Sequence, residues 1–347
     1  MAEVALADVA NALQKVFAPY VTSQINRSSA LIQILPVDDV EGQNIQHVVE
    51  FGAAAGTGAT AEGAAASAFN SDTKVPAILP VCTYTEAFGA TGLAINAALN
   101  SPNPLALKNL FQRELDNAVE RLTMALSTDL YTGDGGVGGG GGVRITGFFG
   151  GAVASTGTYA GINRATYAQW AAIQRANGGV ARALSFNLMR SDLSTRIAKA
   201  SGKRPDLFVL GPSTHDEFGK LFQDTRRYIH EVNTMDGTIK LSGGYKILDF
   251  DGVPVIEDNT CPEGKVLALR MNKARLKQIP QRGMEITRAM GNQTLQSHTG
   301  PVRGLTARIQ PLAILGDKFT FQLVVYVQLS VEQPNACGVL EDIQYTA

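Results

Sequence analysis

The chain has 347 residues, 45% of them apolar and only 18% charged, with a formal net charge of −1. That length exceeds the roughly 250–300 residues at which single cores stop growing, and the apolar content excludes a disordered chain. Lysines and arginines are spread along the sequence, so there is no electrostatic footprint for nucleic acid or an anionic membrane, and charge below the ~25% of an average domain fits a subunit that buries much of its exterior against copies of itself.

The first residues, "MAEVALADVANALQKVFAPY", carry Glu3 and Asp8 where a signal peptide needs basic residues, and Val4, Leu6, Val9, Leu13 and Phe17 recur at helical intervals. They read as an amphipathic arm. "QHVVEF" (46–51) has strand character, residues 52–72 are rich in alanine, glycine, serine and threonine, and "VPAILPVCTYTEAFG" (75–89) is again rich in strand formers. The whole predicts a long two-stranded hairpin with a small-residue tip. An isolated ribbon of two strands is marginal in water, so it needs a partner surface within the chain or on a neighbour. Residues 87–107 lack charge, but Asn96, Asn100, Pro102, Asn103 and Pro104 break the run, and no membrane span is expected.

Asn103 and Pro104 suit the start of a helix, after which Leu107, Leu110, Phe111, Leu115, Ala118, Val119, Leu122 and Leu126 recur every three or four residues. The spacing predicts a helix over 103–130, about 40 Å long, with Arg113, Glu114, Asp116, Glu120 and Arg121 on its solvated side. A glycine-rich tract follows directly. Beyond it, "SFNLMRSDLSTRIAKA" (185–200) reads as a helix capped by Ser185, "DLFVLG" (206–211) as a buried strand and "STHDEFGKLF" (213–222) as another helix. "YKILDFDGVPVIED" (245–258) reads as a hairpin turning at Asp251-Gly252, with Pro254 placing its strand at a sheet edge. In "KFTFQLVVYVQLSVEQP", Phe319, Phe321, Leu323, Val325, Val327, Leu329 and Val331 alternate with mostly polar residues, which predicts one long half-buried strand ended by Pro334.

Candidate sites weigh against chemistry. Gly133, Gly135 and Gly138 match G-x-G-x-x-G, but that fingerprint must follow a strand and open a helix. Here the tract follows a helix C-terminus, where the dipole repels phosphate, so it reads as a pliable connector, with Gly133 ending the helix in a left-handed turn. Ser213, His215 and Asp216 lack the glycine of a nucleophile elbow, and Ser213 with Asp216 reads better as a helix cap. His47, His215, His230 and His298 have no ligand spacing, and Asp249, Asp251, Glu257 and Asp258 lack the spacing of a calcium loop. Trp170 reads as a core anchor. Cys82, Cys261 and Cys337 are odd in number and far apart, which supports neither a disulfide framework nor a zinc site and points to a reducing, cytoplasmic origin. No catalytic, cofactor-binding or metal residue is assigned.

"VVEF" entering a hairpin, "LFQRELDNAVERLTMALSTDLYTGDG" closing on a glycine loop and "ITGFF", then "DLFVLGPSTHDEFGKL", "GVPVIEDNTCPEGKVLAL" and "VVYVQLSVEQPNACGVL" occur in this order. That order resembles the major capsid proteins of tailed bacteriophages, with the Hong Kong 97-type fold, over nearly all of 40–345. The resemblance implies an α+β subunit with an N-terminal arm (1–30), an extended β-hairpin loop (48–88) and a peripheral domain (31–47, 89–154 and 301–347) that includes the spine helix 103–130. Residues 155–300 would form an axial domain around which five or six copies meet. It implies no enzyme and no cofactor, but a homo-oligomeric icosahedral shell in the virion, assembled in the host cytoplasm around double-stranded DNA without sequence-specific contacts. Scaffolding, portal and decoration proteins are the implied partners, and no membrane is. The chain has no room for a cleaved scaffolding segment ahead of its arm, so the scaffold is expected to be external or absent. Some members crosslink a hairpin lysine, for which Lys74 is the sole candidate here; no crosslink is expected. The rival readings are an encapsulin-like compartment and a nucleotide-dependent dehydrogenase using Gly133–Gly138.

Overall fold

The computed structural model describes residues 29–52, 62, 73–100, 106–138, 141–221, 232–234, 237–239, 248–280, 298–299, 305–312 and 317–345. Residues 1–28 of the N-terminal arm, the hairpin tip apart from Glu62, Asn103, Pro104 and His230 lie outside them.

In chain order, a short helix α1 (Ala30–Ile34) is followed by strands β1 (Val37–Asp39), β2 (Asn44–Phe51), β3 (Thr73–Pro80) and β4 (Cys82–Thr91), then helices α2 (Gly92–Leu99) and α3 (Ala106–Thr132). After the glycine tract come β5 (Ile173–Arg175), α4 (Thr195–Ser201), β6 (Leu207–Leu210), α5 (Pro212–Lys220) and the hairpin β7 (Leu248–Phe250) and β8 (Val253–Glu257). The last strands are β9 (Val266–Leu269), β10 (Ala274–Gln278), β11 (Thr306–Pro311), β12 (Lys318–Val331) and β13 (Gly338–Leu340).

The long strand β12 organises the first sheet. Along one edge, residues 318–327 pair antiparallel with Cys82–Thr91 of β4. Along the other, β11 pairs over 321–324 and β10 over 327–331, with β1 parallel to β10. The predicted alternation holds in that Leu323, Val325, Val327, Leu329 and Val331 enter the main core. The strand is half-buried only in its first part, however, because Val324, Gln328 and Ser330 on the opposite face are buried as well. Helix α3 buries Ala118, Leu122, Leu126 and Leu130, the stripe expected from i, i+4 spacing. Arg121 leaves the solvated side and reaches Glu86 of β4, Nε to Oε1 2.6 Å.

The second sheet runs β7-β8-β6-β9-β13-β5. Every residue of β6 is buried because helices cover one face and the main core the other: Leu207 and Val209 point to the main core, Phe208 and Leu210 to a second cluster with Met189, Leu193, Ile197 and Phe218. The helix over 186–201 is capped as expected, with the Ser185 hydroxyl accepting from the Leu188 amide at 3.3 Å, although residues 188–194 are wound as a π-helix. The Asp251-Gly252 turn is formed, with φ of +53° and +79° as a type I′ hairpin requires. Pro254 does not mark an edge: β8 lies between β7 and β6, and the ladder to β6 begins at Val255, so the missing Pro254 amide costs no bond there.

The two sheets exchange strands. β10, which lies within 155–300, pairs into the first sheet, and β13, which lies within 301–347, pairs into the second. One continuous core therefore joins α3 and β12 to Val209, Leu267 and Val339 of the second sheet.

Candidate assembly surface

The hairpin is shorter at its return than the sequence suggests. β2 pairs with β3 from Asn44↔Pro80 to Phe51↔Thr73, and after Val81 the chain leaves the ribbon, because β4 is taken up by the ten-residue ladder with β12. Gln328 fixes this junction: its amide nitrogen donates to the Pro80 carbonyl at 2.9 Å, and its oxygen accepts from the Thr146 amide at 3.2 Å.

Period-two geometry gives the ribbon two different faces. Ile45, Ala77 and Leu79 are buried, and Phe51 stacks on Tyr167 with centroids 4.5 Å apart while meeting Trp170 edge-on. The base of the ribbon thus finds its partner surface within its own chain. Trp170 anchors it as expected, donating its indole N–H to the Tyr159 carbonyl at 3.1 Å. The outer face carries Gln46, Val48, Glu50, Lys74, Pro76 and Ile78, and leaves Val48 68% and Ile78 41% exposed. Apolar side chains beside a charged Glu50↔Lys74 cross-strand pair, on a two-stranded ribbon, are chemistry suited to contact with another protein surface.

The glycine tract is not a pliable connector. It is a small hairpin with bridges Asp134↔Thr146 and Val137↔Val143, and Arg144 pairs with Asp134 at 2.9 Å. The Gly136 amide, and then Arg144, hold the Asp134 carboxyl below the usual carboxylate range. Gly133 is not left-handed; it is required because a Cβ there would strike the Asp129 carbonyl oxygen at 2.6 Å. The Gly133 amide donates to Asp129 and the Gly138 amide to Gly142, so these fingerprint donors are already spent, next to a carboxylate, at the carbonyl end of α3. The geometry rejects a phosphate.

The remaining sequence candidates are dispersed. Ser213 is not a cap: Gly211 is the N-cap of α5, and Glu263, fifty residues away in sequence, accepts from the Ser213 and Thr214 amides at 3.0 Å each and from the Thr214 hydroxyl at 2.9 Å. Replacing Glu263 with alanine is expected to cost about 1–2 kcal/mol in urea unfolding, against about 0.5 kcal/mol or less for Ser213→Ala; equal costs would contradict this capping arrangement. His215 is buried on α5 with Nδ1 3.6 Å from Glu257. Burial lowers the pKa of His47, whose ring nitrogens have no hydrogen-bond partner among the described residues. Asp251 is held by Arg190 and Arg204, whereas Asp258 points into the interior, and among the described residues no three histidine, cysteine or acidic side chains converge as a metal site. No helix of the described residues is long and apolar enough to cross a membrane.

The arrangement of both sheets around α3 is shared with solved shells. The capsid asymmetric unit of cyanophage A-1(L) matches with a TM-score of 0.71 at 19% identity, covering 94% of this chain and 96% of that one. The chain has the Hong Kong 97-type capsid fold. The capsid of an empty GTA particle matches with a TM-score of 0.57 at 14% identity over 94% and 100% of the two chains. The SrpI encapsulin from Synechococcus elongatus matches with a TM-score of 0.55 at 14% identity over 99% of both. No protein-family model and no curated protein matches by sequence. β2 and β3 form a two-stranded ribbon, and the outer face of that ribbon is the candidate assembly surface.

Proposed function

We propose that the chain is the major capsid protein of a tailed bacteriophage, a structural and non-enzymatic subunit of the virion. The carrying observation is the match to the cyanophage A-1(L) capsid along almost the whole of both chains. In this reading the first sheet with α3 is the peripheral domain, the second sheet is the axial domain around which pentamers and hexamers form, and residues 1–30 are the arm. The shell encloses double-stranded DNA and is assembled in the host cytoplasm. Scaffolding, portal and decoration proteins are its partners. Assembly works by burial: each standard interface hides about 1,600 Å², and several modest contacts per subunit multiply into a stable closed shell. A net charge of −1 suits this role, since dense lysine and arginine contacts would retain DNA that has to leave.

Residues 54–69, of which only Glu62 is among the described residues, lie between β2 and β3. Deleting them is expected to leave a soluble subunit while shell yield in electron micrographs falls by roughly tenfold or more, because the ribbon contact repeats in every copy. Intact shells in normal yield would overturn the role given to the ribbon. The encapsulin match favours one second reading, a shell around a protein cargo. Purified particles separate the two: nuclease-protected DNA supports the capsid, and a co-purifying protein without DNA supports the compartment.

A further inference from the structure

Three segments far apart in sequence converge on the buried carboxylate of Asp258. Its Oδ2 accepts from the Ser29 hydroxyl at 2.7 Å, the Leu31 amide at 2.9 Å and the Tyr131 hydroxyl at 2.8 Å. Its Oδ1 accepts from the Thr260 hydroxyl at 2.7 Å and the Thr260 amide at 2.9 Å. Ser29, Leu31, Tyr131 and Asp258 are all buried, so water cannot replace a lost partner. Burial, together with the neighbouring Asp258 charge, raises the Tyr131 phenol well above its ordinary value, so it stays protonated and donates. Ser29 makes no capping bond to its own helix α1; its hydroxyl is committed to Asp258, which also takes the Leu31 amide from 227 residues away. The carboxylate ties the chain just after residue 28 to the last turn of α3 and to the loop that leaves β8.

We propose that Asp258 is a positioning residue for assembly, fixing the root of the N-terminal segment at Ser29–Leu31 against the end of the spine helix. This rests on the capsid reading for its consequence, but not for its geometry. A carboxylate suits the place because five donors reach it and each of its oxygens faces a backbone amide, Leu31 at Oδ2 and Thr260 at Oδ1, that can only donate. An asparagine of the same shape turns an NH₂ group toward donors whichever way its amide is set.

The test is hydrogen exchange on the full-length purified subunit, paired with shell formation. Asp258→Asn is expected to speed exchange of the amides of 30–35 about tenfold or more, with residues 118–126 of α3 and the strand β12 unchanged, and to lower shell yield. Tyr131→Phe, which removes one donor and keeps the ring, is expected to give a smaller acceleration in the same segment. Unchanged exchange at 30–35 in both variants would overturn the inference, as would acceleration spread evenly over the whole chain, which marks a loss of global stability alone. Normal shells from an Asp258→Asn subunit whose 30–35 segment has loosened would overturn the link to assembly. Failure of the unaltered protein to form shells would sink the capsid reading and leave the exchange result intact.

Discussion

Gly150→Ala is expected to destabilise the subunit by about 3 kcal/mol or more, read as a lowered urea midpoint or loss of soluble protein. A Cβ at 150 would sit 2.5 Å from the Gly133 carbonyl carbon and 3.1 Å from the Asp134 Cα, and backbone on both sides leaves neither partner free to give way. The contact is where the chain entering the glycine hairpin crosses the chain leaving it, and the Gly147 amide donates to the Gly133 carbonyl at 2.7 Å in the same crossing. Gly141→Ala in the same tract is the control. Gly141 has φ of +79° but open space around it, so alanine there should cost only about 1–2 kcal/mol of backbone strain. If the tract were a loose linker, the two substitutions would cost the same.

Alkaline pH is expected to remove at least about 4 kcal/mol of stability between pH 8 and 11. Burial pushes the thiols of Cys82 and Cys337 up to about 11 and that of Cys261 well above its ordinary value. Burial likewise raises the phenols of Tyr84, Tyr131 and Tyr159. These folded-state values lie above the unfolded ones, so the neutral groups stabilise the fold fully below the unfolded thiol range near 8.5–9. As pH climbs, the unfolded chain ionises first, and stability is lost progressively toward the folded values. A rise of about two units is worth about 2 kcal/mol per thiol at pH 11, so Cys82 and Cys337 together supply about 4 kcal/mol of the fall, and Cys261 and the three phenols add to it. Urea midpoints taken at one-unit intervals check this, and a flat profile through pH 11 would contradict it. Cys337→Ala should shallow the slope above pH 9.

Much of the fold is legible in short-range pattern. The stripe of α3, the alternation of β12, the Asp251-Gly252 turn and the Ser185 cap each depend on residues within a few positions, where periodicity or a special φ leaves its mark. The candidate surface was half legible: strand formers around a small-residue stretch predict a ribbon, but not that β4 deserts it for β12, since both ladders suit the same residues. The glycine tract misled because composition cannot separate a glycine that frees the backbone from one that lets two backbones touch.

The sequence by itself determined the α+β class, the identity of the long helix and strand, and the mismatch between the glycine fingerprint and its helical context, all of which follow from local period and dipole direction. Only the tertiary structure decided that Glu263 caps α5, that β10 and β13 cross between sheets, and that Asp258 gathers Ser29, Leu31 and Tyr131. Such partners lie fifty to more than two hundred residues apart, and a buried donor chooses its acceptor by proximity in the folded core, which leaves no periodic trace along the chain.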